Sequence, residues 1–389
     1  MNDLRTICAR SARHAPAVGR PLAPVIVPSS TFGFDTLADV DRYYDAGDGY
    51  LYSRYGNPSV ERVENLLAEL EGAEGAVCFS SGMGAITTAL SAVTRAGDRV
   101  VAQRELYGGT SEYLRGVLPL GGVKVDWITT DELARLEPAR LVGARALYLE
   151  SPTNPTLRIV DLERVATIAR EVAVVTLVDA TFATPALERP IERGIDLVVH
   201  SATKYLGGHG DLIGGVVAGR GESIGAIRER RRITGATMDP FSAFLLHRGL
   251  RTLAVRVEAH CRGAARVAAH LERAAGVERV IYPGLASHPD HELARRRMPG
   301  YGGMVSFVIS GGAPAAERVH DALTLFAKAG SLGSIESLVS IPARMSHRHL
   351  GAEARLEAGI PDGLLRLSVG LESPEDLIAD LDRALAAAG

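Results

Sequence analysis

The sequence predicts an α/β protein: a mostly parallel, seven-stranded sheet with helices on both faces, followed by a smaller α+β domain. Three observations predict it. Short β-branched apolar runs alternate with helical periods up to about residue 243. Polar residues gather just past the ends of several of these runs, at 151–154, 179–181 and 201–204, where open α/β sheets bind their ligands. After Ala243 the texture changes to a long helical stretch over 244–271 and then to isolated strands near 304–309 and 364–369. A chain of 389 residues exceeds one ordinary core. The expected division is an N-terminal arm over 1–55, a large α/β domain over 56–243 and a C-terminal α+β domain over 244–389.

The elements follow in order. Pro16, Gly19, Pro21, Pro24 and Pro28 interrupt any apolar period near the N-terminus. That predicts an extended arm, with a short helix near 36–44, which packs on something other than its own core, such as a second subunit. Val60, Val63, Leu66, Leu67 and Leu70 lie at helical spacing over 59–70, and Gly72 stops that helix. A buried strand at 76–79 runs through the turn 80–87 into a helix over 85–93. Further strands are expected at 99–102, 123–128, 146–150, 174–179, 197–200 and 215–218, with helices at 110–117 and 161–172. Asp161 caps the latter, turning Leu162, Val165, Ile168 and Ala169 inward. Ser373 and Pro374 open a terminal helix over 374–388.

Composition narrows the function classes. With 46% apolar and 23% charged residues and a net charge of −3, nothing calls for a nucleic-acid or anionic-membrane partner. Cys8, Cys78 and Cys261 are odd in number and far apart, which argues against a disulfide framework or zinc site and for a reducing compartment. The N-terminus has no apolar signal-like stretch and no run reaches membrane-spanning length, so the expected location is the cytoplasm. His288/His291 and His347/His349 have metal-like spacings but lack a third ligand in pattern, so no metal is expected.

Chemistry concentrates in 196–215. An apolar run there delivers Ser201, Thr203 and Lys204 to a loop carrying Gly207, Gly208, Gly210, Gly214 and Gly215. Such a lysine suits a Schiff base with a phosphate-bearing aldehyde cofactor; the same segment also fits a lysine that caps a strand and reaches water. Ser81, Gly82 and Met83 open a helix whose first N–H groups form an anion site. Gly82 and Gly84 are followed by Thr87 rather than a third glycine, and no Walker lysine is present, so a single phosphate is the economical ligand. Asp179 ends a buried strand and needs a cationic partner, either a protonated pyridine nitrogen or an arginine. Arg54 and Arg366 are residue types for a phosphate or carboxylate, and each also reads as an ordinary surface arginine. Together the set matches pyridoxal 5'-phosphate.

Several ordered stretches carry a resemblance over essentially the whole chain: 52–58 (Tyr-Ser-Arg-Tyr-Gly-Asn-Pro), 81–85, 106–110, 150–155, 178–179, 200–209, 331–333 and 366–370. By these the chain is identified as a member of the Cys/Met-metabolism pyridoxal-phosphate enzymes, which include cystathionine γ-lyase, methionine γ-lyase, cystathionine γ-synthase and acyl-homoserine sulfhydrylases. The resemblance implies fold type I and a homotetramer of two dimers with shared active sites. It implies that Lys204 bonds the cofactor aldehyde and moves substrate protons, that Asp179 partners the pyridine nitrogen, and that Tyr107 stacks on the ring and serves the leaving group. Gly82, Met83, Ser81, Ser201 and Thr203 correspond to the phosphate cradle, and Tyr52 and Arg54 to residues reaching a neighbour's phosphate. Asn154 and Arg366 match the substrate-carboxylate side, Asn154 also standing near the ring oxygen, and Ser331 matches a residue orienting the lysine.

The implied chemistry removes protons from Cα and Cβ of an amino acid so that a γ-substituent leaves. Hydration then gives a 2-oxo acid and ammonia, and capture by a thiol gives γ-replacement. This sequence departs from the family at specificity positions. Ala180 stands where Asn is usual, Glu112 where cystathionine-handling members carry Arg, and Leu51 where γ-lyases often have an acid. Gly109 replaces the cysteine of methionine γ-lyases, Leu332 the tryptophan of bacterial β-lyases, and Arg344 a small residue expected near the pocket. The expected activity is γ-elimination on a sulfur-containing or homoserine-type L-amino acid, with Tyr52, Glu112, Ser331 and Leu332 beside Asn154 and Arg366 on the substrate side. The alternatives are γ-replacement, or a γ-lyase for a substrate with a cationic distal group such as canavanine. An aminotransferase shares the lysine but would not release ammonia; a non-catalytic binder would not need Tyr107 and Arg366.

Overall fold

The computed structural model describes residues 3–9, 22–348 and 350–387. Pro16, Gly19, Pro21, His349 and Ala388, used in the sequence analysis, lie outside the described residues. Seven strands form the large sheet: β1 (Gly75–Phe79), β2 (Arg99–Gln103), β3 (Lys124–Ile128), β4 (Ala146–Glu150), β5 (Val175–Asp179), β6 (Leu197–Ser201) and β7 (Gly215–Gly219). Their order is β1-β7-β6-β5-β4-β2-β3. Only β7 runs antiparallel to its neighbours, β1 and β6. The continuous apolar strands are buried on both faces, as a helix-covered parallel sheet requires. Val63, Leu67, Val178 and Val198 pack on one face and Leu90, Tyr148, Leu177 and Val199 on the other. Each such fully buried side chain contributes about 1.5–3 kcal/mol.

Helix signals match local chemistry. Pro58–Glu71 is capped by Asn57 and ended by Gly72 at φ 66, a conformation that favours glycine. Asp161 caps Leu162–Glu171 through the Arg164 N–H. The helix after β1 begins at Gly82, earlier than the predicted 85, because Ser81 accepts the Gly84 N–H and closes the first turn there. The helix predicted over 110–117 is α-helical only over Gly108–Glu112 and continues as a π turn, Tyr113–Val117.

Two expectations are corrected by packing. The arm is not wholly extended: Leu4–Ala9 is a helix whose Ile7 and Cys8 are buried. Its apolar residues bury against the chain's own core. The stretch predicted as one helix over 244–271 is two, Pro240–Leu250 and Leu253–Leu271. At the break, Arg256 donates to the Gly249, Tyr205 and Leu206 carbonyls, so the chain end of the first helix is held by a side chain from the second.

The C-terminal part holds a second sheet of β8 (Val277–Ile281), β9 (Met304–Ile309), β10 (Ala327–Lys328), β11 (Leu338–Ser340) and β12 (Leu364–Ser368), ordered β10-β11-β12-β9-β8. Only β9 and β12 were expected; the others are too short or too polar outward to show a period. Pro374–Ala386 closes the fold under its Ser373 cap. Among the described residues no helix is long and apolar enough to cross a membrane, and no three His, Cys, Asp or Glu converge as a metal site. His288 accepts the Asp290 N–H and His291 bonds the Pro283 carbonyl, so both serve their own loop.

Candidate active site

The parallel strands β4, β5 and β6 end together, and their carboxyl ends face the segments 330–332 and 345–348 across a cavity of about 910 Å³. Lys204, one turn beyond β6, donates from Nζ to the Ser331 Oγ at 2.7 Å. Burial, and next the Arg366 guanidinium, push its amine down to about 8. The capping-lysine alternative fails on this geometry, since the amine is turned into a cavity rather than released to water.

One wall is an anion cradle. Ser81, Gly82 and Met83 meet Ser201 and Thr203 there. A Cβ on Gly82 would stand 3.0 Å from the Ser201 Cβ and 3.3 Å from its Cα, so glycine lets the helix start approach the end of β6. First-turn N–H groups have no intrahelical acceptor and remain available to an anion. Thr203 is fixed by exchanging bonds with Gly214 across the glycine loop.

The floor is acidic. Asp179 and Glu150 end adjacent strands and pair in register. Asp179 Oδ1 accepts the Thr181 N–H at 3.0 Å. Among the described residues no arginine pairs with it, which removes the structural alternative raised for it. Burial pushes its carboxyl above the usual range, so ionised Asp179 calls for a cation brought in from the cavity.

The opposite wall carries a guanidinium. Arg366 is the third residue of β12, not its first, and it is buried rather than a surface ion pair. Its guanidinium donates to Asn154 Oδ1 at 2.8 Å and to the Ser331 carbonyl at 3.1 Å, leaving a buried Nε without a partner. Burial lowers it to about 10. Leu332 and Glu112 also line the cavity. Tyr107 stands beside Gly109, where a Cβ would fall 2.8 Å from the Tyr107 ring and 3.0 Å from Met83 Sδ. Any side chain at 109 would therefore move that ring.

Arg344 differs from expectation, Glu150 went unforeseen, and Tyr52 and Arg54 stand apart from the other site residues. Arg344 is exposed, pairs with Glu317 and does not line the cavity; Met345, Ser346 and Arg348 do. Tyr52 and Arg54 lie outside the cavity of their own chain, Arg54 donating to the Arg232 carbonyl and lying 4.8 Å from the Tyr55 ring centroid. Glu150 was not singled out, although its place at a strand end before 151–155 was a usable signal.

The residues fit pyridoxal phosphate: a glycine-opened anion cradle, an amine of lowered pKa, and a buried acid wanting a cation. The family model described as Cys/Met metabolism PLP-dependent enzyme matches residues 5–386. An L-methionine gamma-lyase of Fusobacterium nucleatum subsp. nucleatum is 44% identical over 368 residues, covering 94% of this chain and 93% of that protein. A cystathionine gamma-lyase of Bacillus subtilis is 43% identical over 338 residues, covering 87% of this chain and 89% of that protein. The crystal structure of cystathionine gamma synthase from Xanthomonas oryzae pv. oryzae, with aminoacrylate and cysteine, superposes with a TM-score of 0.93 at 40% identity, covering 100% of this chain and 99% of that one. The chain belongs to the Cys/Met-metabolism pyridoxal-phosphate-dependent enzymes, and pyridoxal phosphate is its cofactor.

Proposed function

We propose that the protein catalyses γ-elimination from a sulfur-containing or homoserine-type L-amino acid, releasing a 2-oxo acid, ammonia and the γ-group. What supports it is the likeness to a methionine gamma-lyase at 44% and a cystathionine gamma-lyase at 43% identity, in a chain whose Lys204 amine, lowered to about 8 and held by Ser331, shares one cavity with the Arg366–Asn154 pair. Pyridoxal phosphate, when bound, supplies the electron sink that stabilises negative charge at the substrate α-carbon. Ser81, Gly82, Met83, Ser201 and Thr203 would hold its phosphate, and Asp179 would hold the proton-bearing ring nitrogen. Arg366 and Asn154 orient the substrate carboxylate. Lys204 Nζ would take the proton from Cα, pass it on and so be free to take the one from Cβ in turn, and the Tyr107 hydroxyl would supply one to the departing group.

We assign Tyr52 and Arg54 to a neighbouring subunit's phosphate, within a homotetramer in the cytoplasm; their position outside their own cavity supports this reading. The domain division at residues 55 and 243 is retained as part of the same proposal. A substrate panel tests the activity: L-methionine, L-homocysteine, L-cystathionine, O-acetyl- and O-succinyl-L-homoserine and L-canavanine, each with and without cysteine. 2-Oxobutanoate formed without a thiol is the expected result. Keto acid that stays slow until cysteine is added, with a thioether accumulating, establishes γ-replacement instead. The 40% identical cystathionine gamma synthase structure favours that second reading.

Because only a neutral amine attacks an aldehyde, cofactor capture by the apoprotein is expected to accelerate as pH rises through about 8. Arg366→Gln removes the second cause of the lowered pKa but not burial, so the midpoint is expected to rise. Absorbance on mixing apoprotein with pyridoxal phosphate between about pH 6 and 10 reads both. An unshifted midpoint in the variant contradicts the assigned cause.

A further inference from the structure

The geometry points to Glu150 as a positioning residue that ties the aromatic cover of the cofactor to the substrate-carboxylate clamp. Its Oε2 accepts the backbone N–H of Tyr107 at 2.7 Å, and its Oε1 accepts that of Asn154 at 2.9 Å. Asn154 Oδ1 in turn accepts from Arg366 at 2.8 Å. One carboxylate therefore fixes two backbone segments, at 107 and 154, that are distant in sequence and stand on opposite sides of the same cavity function: one covers the ring, the other holds the guanidinium. The inference rests on the proposed roles of Tyr107, Asn154 and Arg366.

Nothing in the packing calls for an acid at this place. Glu150 is only 5% exposed, at the end of an otherwise apolar strand, and its register partner is Asp179. Burial and the neighbouring carboxylate push it well above the usual range, while the two N–H groups and Arg366 pull it back. An apolar residue would avoid that cost but would leave both N–H groups unpaired. A carboxylate alone among side chains offers two acceptor oxygens on one rigid plane, as the two N–H groups require. Glutamine keeps the shape yet presents an NH₂ where one of the two N–H groups points, so it keeps one bond and opposes the other.

Glu150→Gln is therefore expected to raise two constants together by about ten- to a hundredfold, the range for losing a hydrogen bond to a charged group. These are the pyridoxal phosphate Kd of the apoprotein, read by fluorescence quenching, and the Kd of an unreactive amino acid such as glycine on the holoprotein, read by absorbance. Glu150→Asp keeps both acceptors on a shorter arm and is expected to recover part of each loss. Either constant staying within about twofold of the parent, in a variant whose apoprotein melts cooperatively, overturns the coupling. If Glu150→Gln does not fold, Glu150→Asp carries the test: both constants are expected to rise, and a folded variant with both unchanged overturns it. Failure of the parent itself to bind pyridoxal phosphate or glycine overturns the underlying assignment and not this coupling alone.

Discussion

Lys204→Ala is expected to lower γ-elimination turnover by at least about a thousandfold, since on the proposed roles it deletes both the covalent anchor and the proton carrier. Among the described residues Lys204 is the one lysine lining the cavity, and its hydrogen bond to Ser331 aims the amine inward. Added methylamine is expected to restore part of the activity by replacing the missing base. Turnover within tenfold of the parent rules Lys204 out as the proton carrier. Stability moves the other way. Because folding lowers this amine to about 8, the unfolded chain binds its proton more tightly than the folded one over the window from about 8 up to the ordinary lysine value. The sign is then fixed: stability from this group rises with pH across that window, and at neutral pH the charged amine costs the fold its full penalty. Apoprotein carrying Lys204→Met, which keeps the side-chain volume without the charge, is expected to be about 1–3 kcal/mol more stable than the parent apoprotein at pH 7. Thermal melts of the two apoproteins at pH 7 and above pH 10 check this; the difference is expected to shrink at the higher pH. A site that destabilises the fold while performing chemistry is the usual trade between activity and stability.

The legible part of the site was local in sequence. Ser201 ends one strand and Thr203 and Lys204 follow it, Ser81 to Met83 open one helix, and Asp179 ends one strand, so period and position alone place them at the carboxyl edge of the sheet. What stayed hidden depends on contacts between distant segments. Glu150 acts on backbone N–H groups, and its clearest partner lies 43 residues away. Arg366 is buried, and its partner Asn154 lies 212 residues away in sequence. Arg344 and Arg348 sit in a turn where no periodicity sets direction, and the structure sends Arg344 to Glu317 and Arg348 to the cavity. The same cause explains the fold-level misses. Leu4–Ala9 is too short to show an amphipathic period, yet tertiary burial of Ile7 and Cys8 holds it. The interruption at 251–252 is announced only by Gly249, two residues before it, and the bonds from Arg256 that close it come from the following helix.

Asp179→Asn separates the cofactor's electronics from the integrity of the fold. The asparagine fills the same space at the end of β5 and its Oδ1 still accepts the Thr181 N–H, but no negative charge faces the cavity. The expected result is a fall in kcat/KM of at least about a hundredfold, since the ring nitrogen loses the partner proposed to keep it protonated. Pyridoxal phosphate binding to the apoprotein is expected to weaken as well. In the parent, the Asp179 carboxyl is raised above the ordinary aspartate value by burial, so affinity for a cationic ring is expected to fall at higher pH on acidification than an ordinary aspartate would cause. In the variant that acid limb is expected to vanish, because asparagine does not titrate there. The stability sign is opposite to that of a salt-bridged acid: a raised folded pKa means that ionising Asp179 costs the apoprotein stability as pH rises through that window. Asp179→Asn apoprotein is therefore expected to melt at or above the parent at pH 7 while its holoenzyme turns over far more slowly. A variant that loses activity together with its melting temperature points to a structural role for Asp179 instead. A variant that keeps parental kcat/KM shows that the ring nitrogen is protonated without it, and then the charge at the end of β5 has no part in the reaction.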